Sequence, residues 1–189
     1  MFYYSQLYFV VSDRGIILDK LVLWEYSLAL DTLMNGKLKL IIEPGTLLLL
    51  TKVSNLLTGQ GVKAYLVGGF VRDVLLGRDT ADIDIAVAAD ALEVAPKVAS
   101  ALGGRYVLLD EINRVGRVVL VNEGAPSTRV QCVLDFSTVK GGIEQDLARR
   151  DFTIDAMAVD LGELSKGYAD VQLIDPFNGW SDLHQSVIK

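Results

Sequence analysis

The sequence predicts an α+β (mixed α/β) domain with a mixed sheet, in which strands are joined both by helices and by hairpins. Helical segments that end in glycine separate the strand-like segments between residues 62 and 104, whereas three strand-like segments follow one another between residues 105 and 136. Strands joined in both ways form a mixed sheet flanked by helices. At 189 residues, the chain is long enough for one domain with a substantial core.

Residues 1–42 are predicted to form an N-terminal extension, and residues 43–189 the domain that carries the function. The extension is rich in Tyr, Leu and Val and contains no set of residues that we can assign to chemistry. Residues 20–34 have helical spacing of apolar side chains, which fits either an extra packing element or a helix that binds a partner. A start codon placed too far upstream would also explain the extension.

The elements of the domain follow from helix and turn signals. Pro44 favours the first turn of a helix. Gly59, Gly103 and Gly104 are typical of helix ends, and residues 176–179 contain Pro, Asn and Gly, which favour a turn. We therefore predict helices over 44–57, 70–76, 91–102, 143–150 and 182–187, and strands over 62–67, 82–87, 105–109, 115–121, 129–136, 154–160 and 171–174.

The composition excludes several classes of protein. Hydrophobic residues make up 51% of the chain and charged residues 22%, as in soluble globular proteins rather than disordered ones. The net charge of −6 gives no overall positive field for nucleic acid. The single cysteine, Cys132, excludes a disulfide framework, and the single histidine, His184, excludes a multi-histidine metal site. Any catalysis is therefore expected to use carboxylates.

The sequence shows no signal for a membrane or for secretion. No uncharged apolar run reaches the roughly 20 residues that a membrane span needs, and the first residues lack the basic start of a secretory signal. We expect a cytoplasmic protein without a membrane partner, and the oligomeric state is left open.

A glycine pair follows the predicted strand over 62–67. Gly68 and Gly69 allow a sharp turn and a close approach to the backbone, and the helix that follows offers free N–H groups to an anion. Arg72 lies about one turn into this helix and could bind the same anion in bidentate fashion. The alternative is a tight connection without a ligand.

Two aspartates alternate with isoleucines in the next predicted strand. Asp82 and Asp84 project from the same face, with Cα atoms about 6.6 Å apart, because alternate residues of a strand share a face. Two carboxylates on one face repel each other unless a cation offsets their charge. Oxygen-ligated Mg²⁺ suits this pair and accompanies nucleoside triphosphates. A solvated edge strand with two exposed acids is the alternative.

A third carboxylate is predicted on the strand over 129–136. There Asp135 shares a face with Gln131 and Val133, whereas Cys132 lies on the opposite face and is expected to be buried. If this strand is next to the predicted strand over 82–87, three carboxylates could hold two divalent ions about 3.5–4 Å apart for in-line phosphoryl transfer. An ordinary aspartate at a strand end is the alternative.

Two arginines end the predicted helix over 143–150. Arg149 and Arg150 could bind a triphosphate, and Asp151 could accept a hydrogen bond from a ribose hydroxyl. Arginine at a helix C-terminus is also a routine partner of the helix dipole. Periodicity does not choose between these two roles.

Taken together, these segments resemble the head domain of the tRNA nucleotidyltransferase (CCA-adding enzyme) and bacterial poly(A) polymerase family. YLVGGFVRDVLLGRDTADIDI resembles the first motif of the family, RRDFTIDAMA its second motif, and DPFNGWSDL the segment that closes the head. The resemblance runs over about 64–189. It implies a polymerase-β-like nucleotidyltransferase fold and the transfer of nucleotides to an RNA 3′ end with release of pyrophosphate.

The resemblance also implies roles for individual residues. By the family pattern, Asp82 and Asp84 bind the metal, with Mg²⁺ expected and Mn²⁺ as a substitute, and Asp135 is a third acidic position. The remaining predicted site residues are expected at the incoming ATP or CTP, with Asp151 at the ribose; they are Gly68, Gly69, Arg72, Asp73, Arg149, Arg150 and Asp151.

Two departures from the family pattern bear on function. Asp155 replaces the Asn that usually ends RRDFTIN in the second motif. Lys189 ends the chain before the neck, which selects the base, and before the body and tail, which hold tRNA. We therefore expect an RNA-transferring head that needs further domains. The alternatives are a stand-alone nucleotidyltransferase with a non-RNA acceptor and a non-catalytic nucleotide-binding or interaction module.

Overall fold

The computed structural model describes residues 10–12, 15–17, 38–78, 80–122, 129–164 and 170–189. The helix predicted over 20–34 lies outside the described residues. Near the N-terminus, strands β1 (Val10–Ser12) and β2 (Gly15–Ile17) form an antiparallel pair. Strand β3 (Leu38–Lys39) pairs with β10 (Asp170–Val171) near the other end of the chain.

Within the described residues, a seven-stranded mixed sheet forms the centre of the fold. Its strand order is β11-β9-β4-β5-β8-β7-β6, and among these pairs β5 and β8 run parallel. The hairpins β6–β7 and β7–β8 follow the three consecutive strands that the sequence predicts. The strands are β4 (Ala64–Val67), β5 (Asp82–Val87), β6 (Arg105–Asp110), β7 (Val115–Asn122), β8 (Arg129–Thr138), β9 (Ala158–Asp160) and β11 (Leu173–Ile174).

The helices begin and end where local chemistry favours it. At the start of helix α1 (Pro44–Gly59), Glu43 accepts a hydrogen bond from the Thr46 N–H, 2.7 Å away. Asp90 caps helix α3 (Ala91–Leu102) by accepting from the Leu92 N–H at 2.9 Å. None of the described helices is long and apolar enough to cross a bilayer. The helices are α1 (Pro44–Gly59), α2 (Gly68–Leu75), α3 (Ala91–Leu102), α4 (Ile143–Leu147), α5 (Leu161–Leu164) and α6 (Gly179–His184).

The main core lies on one face of the sheet. Ile83 and Ile85 of β5 and Leu134 and Phe136 of β8 are fully buried there, in one cluster with residues of α1, α2 and α3. A smaller cluster, which includes Tyr65, Ala86 and Leu147, covers part of the other face. Because side chains alternate along a strand, this partly covered face carries the polar residues of β5 and β8.

Four predicted elements near the C-terminus are wrong in extent. The strand predicted over 171–174 is two strands, β10 and β11, in different sheets, and the helix predicted over 182–187 is Gly179–His184. The helix predicted over 143–150 ends at Leu147, and residues 148–151 form a turn. The strand predicted over 154–160 begins only at Ala158, because Thr153–Asp155 form a 3-10 helix. Contacts distant in sequence hold this 3-10 helix: the Thr153 hydroxyl donates to Asp182 at 2.7 Å, and the Thr153 N–H donates to the Lys189 carbonyl at 3.1 Å.

We predict that Gly179→Ala destabilises the fold. A Cβ atom at this position would collide with the backbone carbonyl of Thr153 and would lie 3.1 Å from the Met157 Cγ atom. The expected loss in the free energy of unfolding is about 1–3 kcal/mol, typical of overpacking, measured by chemical denaturation. Gly59→Ala is the matched control, since a Cβ atom there meets nothing within 4 Å. Equal stability of the two variants would contradict the predicted clash.

Candidate active site

The carboxylates of β5 lie on the face opposite the main core. Ile83 and Ile85 are buried, whereas Asp82 is exposed and Asp84 is half-buried. The alternation predicted for this strand is therefore present. A carboxylate that is half-buried beside another one is poorly hydrated, so Asp84 depends on nearby charges more strongly than Asp82 does.

The parallel pairing of β5 with β8 brings the third predicted carboxylate to the same place. Asp135 is in register with Asp84 on the neighbouring strand, so the two side chains lie on the same face. Burial raises the pKa of Asp84 above its ordinary value, and the negative charge of Asp135 adds to the rise, whereas Arg150 opposes it. Burial is therefore the largest cause of the raised pKa of Asp84.

Arg117 of β7 binds the third carboxylate directly. Its Nε and Nη2 atoms donate to the two carboxylate oxygens of Asp135, both at 2.7 Å. Arg117 and Asp135 are opposite each other in the β7–β8 ladder, which explains the bidentate geometry. Sequence reasoning missed Arg117; the signal was a charged residue beside buried Val118 in a strand that forms a hairpin with β8.

The residues present fit a divalent cation held by two carboxylates. Within the described ranges, no three Asp, Glu, His or Cys side chains converge as a ready-made metal site. Asp82 and Asp84 are oxygen donors of the kind that Mg²⁺ prefers, and no ion pair between either of them and a basic residue is seen in the described part of the chain. The ligand set of three carboxylates stays a prediction, because Arg117 engages both oxygens of Asp135.

The glycine turn stands directly beside these carboxylates. Gly68 begins α2 with a φ of 64°, in the left-handed region that favours glycine. A Cβ atom at Gly68 would lie 2.6 Å from Nη1 of Arg150 and 3.3 Å from Oδ2 of Asp84. The start of a helix, a carboxylate and an arginine therefore meet at one point, which only glycine leaves open.

Arg150 reaches this point from the turn that follows α4. Its Nη2 atom is 3.7 Å from Oδ2 of Asp146, a buried residue that also pairs with Arg149. The Nε atom of Arg150 is buried and has no hydrogen-bond partner in the described structure. A buried donor without a partner costs free energy, so the contact with Asp146 does not satisfy Arg150 fully.

Arg149 and Asp151 differ from Arg150 in their surroundings. The side chain of Arg149 is 52% exposed and pairs with Asp146, and Asp151 is exposed. Of the two arginines predicted from the sequence, the structure thus places Arg150 beside Asp84. Asp146, which sequence reasoning did not single out, holds both arginines.

Arg72 lies in the last turn of the same helix and is bound by two carboxylates. Its Nε and Nη2 atoms donate to Asp73 at 3.0 and 3.2 Å, and its Nη1 atom donates to Oδ1 of Asp155 at 2.5 Å. A Cβ atom at Gly69 would lie 3.4 Å from Nη2 of Arg72, so the guanidinium group lies against the glycine pair. Asp73 therefore contacts Arg72, and the unusual residue Asp155 is its second partner.

Cys132 is a core residue, as the sequence predicts. Its side chain is buried, its thiol donates to the Ala81 carbonyl at 3.3 Å, and burial raises the pKa of the thiol. A thiol with a raised pKa is a poor nucleophile at neutral pH.

Comparison with known proteins identifies the family. The model of the poly(A) polymerase head domain matches residues 64–189. The CC-adding tRNA nucleotidyltransferase of Geobacter sulfurreducens is 42% identical over 138 residues, covering 72% of this chain and 29% of that protein. The A-adding tRNA nucleotidyltransferase of Halalkalibacterium halodurans is 36% identical over 149 residues, covering 75% and 34%.

The fold is also similar to solved structures. The Thermotoga maritima CCA-adding enzyme, solved in complex with tRNA, superposes with a TM-score of 0.64 at 36% identity, covering 78% of this chain and 33% of that one. The likeness confirms the predicted polymerase-β-like fold. This chain spans about a third of the length of these relatives. With the match extending from residue 64 to residue 189, the chain belongs to the poly(A) polymerase head-domain family.

Proposed function

We propose that this chain is the catalytic head of a template-independent RNA nucleotidyltransferase. It would transfer CMP or AMP from CTP or ATP to a tRNA 3′ end and release pyrophosphate. The convergence of Gly68, Asp84 and Arg150 at the start of α2 carries the proposal, because nucleotidyl transfer needs an anion cradle beside carboxylates that hold a cation. The names of the relatives support tRNA as the acceptor.

The start of α2 and Arg150 would bind the triphosphate. The first N–H groups of a helix and its dipole favour an anion, and Gly68 allows the guanidinium group of Arg150 to lie against this helix start. The buried Nε–H group of Arg150 lacks a partner in the described structure, and a phosphate oxygen would satisfy it. Asp151 is exposed and, by family resemblance, would accept a hydrogen bond from the ribose.

Asp82 and Asp84 would hold a divalent cation, Mg²⁺ with Mn²⁺ as a substitute. Enzymes of this family generally use divalent metal ions. When bound, such a cation lowers the pKa of the attacking hydroxyl and offsets charge on the triphosphate. Arg117 fixes the carboxylate of Asp135 beside Asp84, so that Asp135 adds to the negative field of the site without moving freely.

We propose that the head includes residues 43–63, although the family match begins at residue 64. Leu50, Val53 and Leu57 of α1 are buried in the main core together with Leu161 and Leu164 of α5. Removal of α1 would expose these apolar surfaces. Residues 1–42 keep the sequence-based role of an extension, and a cytoplasmic location stays an expectation from the sequence.

The relatives do not decide which nucleotides are added. The CC-adding and A-adding relatives are both similar to this chain over comparable lengths, so CCA, CC, A and poly(A) addition share this head. We expect RNA transfer to depend on further domains, because the described site offers candidate residues for phosphate and metal binding but none that we can assign to reading a base.

We predict that incorporation depends on Asp84. The purified chain is incubated with Mg²⁺, labelled CTP or ATP, and tRNA that lacks its terminal CCA. Asp84→Asn is expected to lower incorporation by about a hundredfold or more, because it removes a charged cation ligand beside the reacting phosphate. Glu111→Gln, an exposed residue of the β6–β7 turn, is the control for the loss of one charge. Undiminished activity in Asp84→Asn would contradict the metal assignment.

The same assay separates the alternatives. Incorporation into tRNA by the wild-type chain supports the RNA-transferring head, and incorporation only into another acceptor supports the stand-alone enzyme. Binding of Mg²⁺ and ATP without transfer, in the presence of tRNA, would mean that the head needs additional domains. No binding of nucleotide would favour the non-catalytic module.

We predict that excess chelator abolishes incorporation and that added Mg²⁺ restores it. The reason is that the described site offers carboxylates but no group suited to act as a metal-free base for the acceptor hydroxyl. Mn²⁺ is expected to restore activity as well. Undiminished turnover in excess EDTA would refute the requirement for a cation.

We predict that Asp84→Asn raises stability in the absence of metal. The folded state raises the pKa of Asp84, so its ionisation lowers the free energy of unfolding as the pH rises from its ordinary pKa of about 3.9. The amide cannot ionise and should avoid this loss. Thermal unfolding at pH 4 and pH 7 measures the effect: the advantage of the variant should be larger at pH 7. An equal or lower melting temperature at pH 7 would contradict the prediction.

A further inference from the structure

Asp155 makes a contact that the local turn does not require. It ends the 3-10 helix Thr153–Asp155, and its backbone N–H already donates to the Phe152 carbonyl. Its side chain accepts a hydrogen bond from Arg72, which is 83 residues away in the sequence. A contact between such distant residues is a feature of the site rather than of the turn.

The charge of Arg72 is more than compensated. Asp73 accepts two N–H groups of the guanidinium and Asp155 accepts a third, out of the five that arginine offers. One positive and two negative charges leave this group of three residues with a net negative charge. Asp73 alone would suffice to pair with Arg72 in bidentate fashion.

Arg72 is also placed where an anion would bind. Its guanidinium group lies against Gly69 in the first turn of α2, and its side chain is 28% exposed. A phosphate that approaches the N–H groups of this turn would meet a cation that two carboxylates already occupy. The phosphate and Asp155 would therefore share the positive charge of one guanidinium group.

We propose that Asp155 competes with the phosphates of the nucleotide for Arg72 and thereby lowers the affinity of the site for triphosphates. This inference rests on the proposed function of the site as a nucleotide-binding one. It makes Asp155 an affinity-determining residue. Asparagine at this position would keep an oxygen that accepts from Nη1 but would carry no charge.

The test compares Asp155→Asn with the wild-type chain by calorimetric titration at low salt with Mg²⁺ present. We expect ATP and inorganic tripolyphosphate to bind about two- to fivefold more tightly to the variant, the size of one partly exposed ion pair, whereas adenosine binding stays unchanged. High salt should reduce the gain. Glu111→Gln removes one charge from the β6–β7 turn and is expected to leave all three affinities unchanged.

A second background separates competition from simple repulsion. In Arg72→Gln there is no guanidinium for Asp155 to occupy, so adding Asp155→Asn is expected to give little or no further gain. A full gain in affinity in that background would overturn competition, because only electrostatic repulsion by the Asp155 carboxylate could then explain the gain. Thermal unfolding of each variant checks that it is folded; if Arg72→Gln does not fold, equal or weaker binding of tripolyphosphate to Asp155→Asn still overturns the proposal.

The outcomes also distinguish this inference from the proposed function. Equal or weaker binding of tripolyphosphate to Asp155→Asn overturns the inference but leaves the function, provided that the wild-type chain binds ATP. A gain for adenosine of the same size would place Asp155 at the nucleoside and would also overturn it. If neither protein binds ATP or tripolyphosphate, both the inference and the proposed function are wrong.

Discussion

The parallel pairing of β5 with β8 is the constraint on which the site depends. It sets Asp84 beside Asp135 on one face of the sheet and at the same time packs Ile83, Ile85, Leu134 and Phe136 into the main core. A shift of one residue in this register would bury the carboxylates and expose the apolar side chains. The hydrophobic core therefore fixes the position of the charged groups.

This concentration of negative charge requires cations from other parts of the chain. Arg117 comes from the next strand and binds Asp135 in register, and Arg150 comes from the turn after α4, where Asp146 holds it. Gly68 makes room for Arg150 beside Asp84. Each arginine offsets part of the charge, and burial together with the charge of Asp135 keeps the pKa of Asp84 above its ordinary value.

Local pattern predicted the strands and their faces well, and contacts between distant residues account for most of what it missed. Alternation alone places Asp82 and Asp84 opposite Ile83, and β5 and α3 have the predicted bounds. Residues 154 and 155 of the 3-10 helix Thr153–Asp155 were predicted as the start of a strand, because the contacts of Thr153 with Asp182 and Lys189 are invisible to periodicity. The contact of Arg72 with Asp155 was likewise beyond prediction, since the two residues meet only in the folded chain.

In the proposed function, the two arginines beside the glycine turn would contribute differently to the binding of a triphosphate. Arg150 keeps a buried N–H group without a partner in the described structure, whereas Arg72 is shared between Asp73 and Asp155. A buried donor gains most from a new acceptor, because it has little water to lose. A donor that is already hydrogen-bonded to carboxylates gains only the difference in free energy between its old acceptor and its new one. Arg150 should therefore contribute most of the phosphate affinity. The residue at position 155 should adjust that affinity through its contact with Arg72.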